Sequence, residues 1–240
     1  MFGLRSIPGR SPSDPFRLVA HLFKLDNQPF SLVALNLDPA ILDRASGAAL
    51  LLERGGKFEQ ARFIKRQIEH WLIDSPKFVT PLVRQLEAGG ISHIFLTHQD
   101  DVADAERYAE HFESRRIIHR DELSSQPGAE VVLDGAGPWE LAPGFLAIPT
   151  PGHTKGHCVL LFQDRFLFTG DHLDWDREGQ HLSASEGYCW YSWPQQAESM
   201  RRLADYRFEW VLPGHGQKVH LPANEMRTQI LRLAEAMREG

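Results

Sequence analysis

Four apolar runs in this 240-residue chain end in the same way, and that repetition restricts its fold more than any other feature. "HIFLT" runs into His98, "FLAIP" into "TPGHTKGH", "RFLFT" into "GDH", and "EWVL" into "PGHG". Each run has the length and the aliphatic or aromatic content of a buried strand. A histidine or aspartate follows closely every time, and in three cases of the four a glycine stands before it, where the backbone can turn tightly. Side chains mounted on strand ends are fixed by the sheet and not by loop stiffness. Imidazole and carboxylate are ligand types for zinc, iron or manganese. One histidine after a strand is an ordinary structural residue, whereas four such loops in one chain point to a metal site.

The rest of the pattern interleaves strands and helices. Residues 16–37 read as two strands around a turn at 27–29, and residues 39–70 fit no single element. Ser75 and Pro76 read as a helix start, with Phe78, Val79, Leu82, Val83 and Leu86 on one face and Gly89 and Gly90 as the stop. Pro81 objects mildly to that start, since proline removes a hydrogen bond beyond the first turn. "ISHIFLT" reads as a strand, "VADAERYAEHF" as an amphipathic helix and "RRIIH" as a strand. "GAEVVLDGAGPWELAPGFLAIPTPGH" reads as strand, turn and strand, and "HCVLLFQDRFLFTGD" as a hairpin turning near Gln163 and Asp164. "SWPQQAESMRRLADY" reads as a helix with Ser192 and Gln195 at capping-box spacing. The strand "FEWVL" and a closing helix over 223–238 complete a pattern of sheets covered by helices. One domain over 16–240 is expected, behind a flexible lead-in at 1–15.

Net charge is −6, so no broad basic surface advertises nucleic acid or an anionic membrane as partner. Two cysteines, Cys158 and Cys189, exclude a disulfide-stapled fold and indicate a reducing, cytoplasmic setting. No apolar run approaches the ~18 residues of a membrane span, and "MFGLRSIPGRSPSDPF" lacks the apolar core of a secretory signal.

The ordered loops "PTPGHTKGH", "FTGD" and "LPGHG" resemble those of the metallo-β-lactamase superfamily over roughly Trp71 to Leu221, and the "TPGHTxGH" form looks most like the hydroxyacylglutathione hydrolase branch. The resemblance implies an α/β fold, an αββα sandwich of two mixed sheets packed face to face with helices outside, holding one or two divalent metal ions. It assigns His153, Asp171 and His215 as ligands, with Asp171 as the bridging carboxylate. The family's first motif, H-x-H-x-D-H, is altered here. His98 keeps the first histidine's place, Asp100 replaces the second, and Val102 and Ala103 stand where the aspartate and third histidine belong. Shifted by two residues, Asp104 takes the aspartate's place and Ala105 the third histidine's. The form resembles a plant and cyanobacterial subgroup carrying "THRDDVADH", although that subgroup keeps a histidine at the position of Ala105.

The expected ligands are therefore His98, Asp100, His153, Asp171, His215 and Asp104, with zinc first and iron or manganese next as the carboxylate share rises. Asp101 is expected to cap the helix that follows. Asp100, Asp104 and Asp171 are the candidates for handling the proton of an attacking water. His157 and His172 are read as supporting donors or substrate contacts, with a purely structural role as the alternative. Trp190 and Trp193, with Trp175 and Tyr191, form either core or an apolar substrate wall. The corresponding function is hydrolysis of a small-molecule ester, thioester or lactone with a metal-activated water. An iron-binding oxidoreductase and a non-catalytic binding module are the alternatives.

Overall fold

Apolar runs form the strands, and the polar segments carrying Gly and Asp form the turns, in a computed structural model that describes residues 5–6, 21–23, 31–35, 70–87 and 89–239. The expected helix or strand within 39–69 and most of the expected lead-in lie outside the described residues. Contacts gather the chain into two compact units, residues 1–95 with 103–116 and residues 96–102 with 117–240.

In the first unit, β1 (Arg5–Ser6), β2 (His21–Phe23), β3 (Ser31–Leu35) and β4 (His70–Ile73) pair antiparallel in succession. β4 then runs parallel to β5 (His93–Phe95). Every residue of β4 is buried, and Trp71 stacks on His93 with ring centroids 4.4 Å apart, which gives His93 the packing role its strand position suggests. Helix α1 spans Thr80–Glu87 and buries Leu82, Val83 and Leu86. It starts later than Ser75 and Pro76 suggested. Beginning at Thr80 leaves Pro81 in the first turn, where its missing N–H removes no helical hydrogen bond, so the objection to that proline disappears. Helix α2 (Ala105–Phe112) buries Ala105, Tyr108 and Ala109, and the Tyr108 hydroxyl donates to the carbonyl of Lys77 at 3.1 Å.

The second unit holds a six-stranded sheet. Its order is β15 (Val219–His220), β14 (Trp210–Pro213), β11 (Phe166–Gly170), β10 (Cys158–Phe162), β9 (Phe145–Pro149) and β8 (Trp139–Ala142). The β10–β11 hairpin turns where expected, with Gln163 and Asp164 both at positive φ, 53° and 49°, as a tight primed turn requires. β6 (Arg115–His119) pairs parallel, through residues 117–119, with β7 (Val131–Leu133), and β12 (Asp174–Asp176) forms a ribbon with β13 (His181–Ser183).

Helix α3 (Trp193–Leu203) begins as expected: the Ser192 side chain accepts from the amide of Gln195. It packs with α4 (Ala223–Glu239) against the sheet, burying Met200, Leu203, Val211, Met226 and Ile230 in one apolar cluster. Fully burying one such aliphatic side chain contributes roughly 1.5–3 kcal/mol. This cluster anchors the strands whose ends carry the histidines. Among the described residues no helix is long and apolar enough to cross a membrane.

Candidate metal centre

Strand direction brings the loops together. β9 and β11 are each antiparallel to β10, and β11 is parallel to β14, so β9, β11 and β14 all run out at the same sheet edge. Their continuations carry His153, Asp171 and His215. Gly170 stands in register with Pro213, and the amide of Gly214 donates to the Gly170 carbonyl at 2.9 Å, which fixes the last two loops side by side. Residues 96–102 join this unit through two more backbone bonds: the Leu96 amide donates to Ile117, and Cys158 donates to the carbonyl of Thr97 at 2.9 Å.

Two groups of donor atoms result, with the atoms of each group within 4.8 Å of one another: His98, His153 and Asp171, and Asp101, Asp171 and His215. Asp171 belongs to both. Its Oδ2 lies 3.8 Å from His98 Nε2 and 4.0 Å from His153 Nε2, while its Oδ1 accepts from His215 Nδ1 at 2.7 Å. His98 is fully buried and His153 2 % exposed, yet the Nε2 of each has no hydrogen-bond partner. The other ring nitrogen of His98 is 2.9 Å from the Thr97 hydroxyl. An Nδ1–H donated to that oxygen leaves the Nε2 lone pair facing the cluster. Asp100 belongs to neither triad, but its Oδ2 is 3.9 Å from His98 Nε2 and 3.7 Å from His153 Nε2.

Asp101 departs from expectation. It sits in a 3-10 turn, Gln99–Asp101, and does not cap α2; the residue before that helix is Asp104. Asp101 is 6 % exposed, its Oδ2 has no hydrogen-bond partner, and that oxygen is 4.0 Å from His215 Nδ1. Asp104 belongs to neither triad. Its carboxylate accepts from the amide of Phe78 at 2.6 Å and lies 3.5 Å from Arg107. The extra 3-10 turn delays the helix by a few residues, so Asp101 joins a donor group, while Asp104 stands directly before α2 without a side-chain capping bond to it.

Electrostatics mark the cluster as incomplete by itself. Burial pushes the Asp101 carboxyl up to about 7, with Asp171 adding to the rise and His215 opposing it. Burial also acts to raise Asp171, but the hydrogen bond from His215 and the nearby imidazoles hold it below the usual carboxylate range. Burial brings His98 down to about 4 against the pull of Asp171. Buried imidazole lone pairs and unpaired carboxylate oxygens in one place are what a cation would satisfy. Ligand atoms around one zinc-sized ion stand roughly 3–4 Å from each other, so the donor set fits. Gly214 makes that fit possible: a β-carbon there would stand 3.0 Å from Asp101 Oδ2 and 3.1 Å from Asp171 Oδ1.

His157 and His172 are both fully buried and so offer no surface to a substrate. Their rings lie 5.4 Å apart, His157 is 5.2 Å from the His98 ring, and its Nδ1 is 2.9 Å from the Thr150 hydroxyl. The aromatic group divides. Trp175 is core and Trp193 packs against it, whereas Trp190 and Tyr191 are 63 % and 45 % exposed. The amides of Trp190 and Tyr191 both donate to the His153 carbonyl, at 2.8 and 3.2 Å, and Ser192 donates to Gly152. The exposed aromatics thus stand on the backbone of a cluster histidine.

Comparison with known proteins agrees with this architecture. A lactamase-like protein of Pestalotiopsis microspora is 30% identical over 159 residues, covering 61% of this chain and 44% of its own length. The chain thus spans less than half the length of this curated relative. Of solved structures, the DIM-1 metallo-β-lactamase superposes with a TM-score of 0.58 at 15% identity, covering 98% of this chain and 99% of that one. A metal-soaked Flv1 flavodiiron core from Synechocystis superposes at 0.54 and 15% identity, covering 91% and 61%. No family model matches the sequence. The chain has the α/β fold of the metallo-β-lactamase superfamily, mixed sheets with helices, as its strand-end loops led one to expect.

Proposed function

We propose that the chain is a metal-dependent hydrolase of small-molecule esters, thioesters or lactones. The observation that carries this reading is the pair of donor triads sharing Asp171, with the Nε2 atoms of His98 and His153 buried and unbonded. His98, His153 and Asp171 would hold one divalent cation, and Asp101, Asp171 and His215 a second. A bound cation of this kind supplies a Lewis acid for the substrate oxygen and makes water more acidic near neutral pH. Asp100, whose side chain is 46 % exposed beside His98 and His153, would accept a proton from an incoming water. Thr97 holds the His98 ring, and the buried His157–His172 pair backs the cluster against water.

A second reading has one observation in its favour. Asp100 brings a carboxylate where the resemblance expects an imidazole, which shifts preference toward iron, and the flavodiiron core shares the fold. That reading is an iron-dependent oxidoreductase.

Elemental analysis of protein purified without added metal separates the two, since zinc or an exchangeable divalent ion supports hydrolysis and tightly held iron supports redox chemistry. A panel of thioester, ester and lactone substrates then tests turnover. Activity that survives both His153→Ala and His215→Ala belongs to a contaminant and removes the hydrolase reading.

A further inference from the structure

Glu122 has no part in either triad, and its surroundings are unusual for a carboxylate. It is 1 % exposed, on a 3-10 helix spanning Arg120–Ser125 whose start is capped by the His119 side chain accepting from the Asp121 amide. A buried carboxylate is costly unless its oxygens are satisfied. Here each oxygen accepts from a backbone amide on a different loop: Oε2 from Gln99 at 3.1 Å and Oε1 from Gly156 at 2.5 Å. Gln99 lies between His98 and Asp100, and Gly156 lies between His153 and His157. Residue 156 must be glycine for this approach, because a β-carbon there would meet Glu122 Cγ at 2.8 Å and His119 Nδ1 at 2.7 Å.

We propose that Glu122 is the positioning residue of the centre: its single carboxylate straps the His98–Asp100 loop to the His153–His157 loop and so sets the spacing of the donors. The strap is a property of the protein alone, and its consequence for metal affinity rests on the function proposed above. The backbone bond from the Cys158 amide to Thr97, which also joins these segments, lies at the strand ends. The amides of Gln99 and Gly156 are the ones beside the ligands. Shortening or removing the side chain leaves both amides without a partner and releases the two loops from each other.

Two measurements on the full chain test this. In metal-free protein, hydrogen exchange of the Gln99 and Gly156 amides is slow in wild type. It becomes at least about tenfold faster at both in Glu122→Ala, and at one in Glu122→Gln, whose amide keeps one acceptor oxygen. In cobalt-loaded protein, chelator competition gives an affinity weaker by about 10- to 100-fold in Glu122→Ala, with an intermediate loss in Glu122→Gln and an altered ligand-field spectrum. Met200→Ala, a core change in the same unit, lowers the melting temperature without moving cobalt affinity. Wild-type exchange at both amides, or wild-type cobalt affinity and spectrum in Glu122→Ala, overturns the proposal. If Glu122→Ala does not fold, Glu122→Gln carries both measurements. Should the wild type itself bind no cobalt, the proposed function fails, and the exchange experiment still decides the strap.

Discussion

His215 donates through Nδ1 to Oδ1 of Asp171 at 2.7 Å, while the second oxygen of Asp171 faces His98 Nε2 at 3.8 Å. One carboxylate therefore joins the two triads, and the consequences of removing it differ from those of removing any other donor.

Metal counts should follow that asymmetry. Asp171→Ala is expected to lose binding at both triads, and Asp101→Ala to lose one equivalent while the His98–His153 triad still binds. Plasma emission analysis after equilibrium dialysis reads this directly. Equal stoichiometry for Asp101→Ala and wild type would return Asp101 to a structural role.

Loading should also stabilise the fold. A cation at about 100 times its Kd adds roughly 2.7 kcal/mol to the native state. For a chain of this size that amounts to a melting shift of about 5–10 °C, abolished by EDTA and absent in Asp171→Ala. Scanning calorimetry with and without chelator checks it.

Gly214→Ala should weaken the second triad more than the fold. The added methyl would crowd Asp101 Oδ2 and Asp171 Oδ1, and a carboxylate displaced by a few tenths of an ångström still packs. A roughly tenfold loss of affinity for one metal equivalent is expected, of the order seen when a ligand's surroundings are disturbed, with little change in melting temperature. Isothermal titration resolves the two equivalents.

Trp190→Ala and Tyr191→Ala remove exposed side chains and should leave stability within about 0.5 kcal/mol of wild type. If these rings bind the apolar part of a substrate, KM for long-chain or aromatic esters rises several-fold while kcat holds. An unchanged KM across the panel would leave the two aromatics outside substrate binding.

The two thiols should react in order. Burial, with the charge of Glu122, pushes the Cys158 thiol well above its ordinary value, and the side chain is 1 % exposed. Cys189, also raised by burial, is only partly covered. Maleimide at neutral pH should label Cys189 in the native protein and Cys158 only after denaturation, as mass spectrometry of digests would reveal.

Strand-end histidines could be read from the chain because a short apolar run followed by Gly-His is a local signal. What the strands do with each other is not local. Asp101 and Asp104 illustrate the limit: both are acidic, both precede a helix, and one 3-10 turn decides which joins the cluster and which stands before α2. The start of α1 was read at Ser75 and Pro76 and falls at Thr80, where Pro81, the residue that objected to the earlier start, sits in the first turn. Glu122 left no trace in any periodicity because its partners are 23 and 34 residues away. The threonine preceding each of three loops, Thr97, Thr150 and Thr169, was the overlooked clue to how they are held. All three are buried, and two of them hydrogen-bond a histidine ring.

The shared exit of β9, β11 and β14 from one sheet border separates inheritance of form from inheritance of chemistry. Ladder and donors occupy different stretches of chain, so letters past each strand end can be rewritten, one loop at a time, while the hydrogen-bonded frame persists. A change of donor at one loop therefore leaves the strands that carry the others undisturbed.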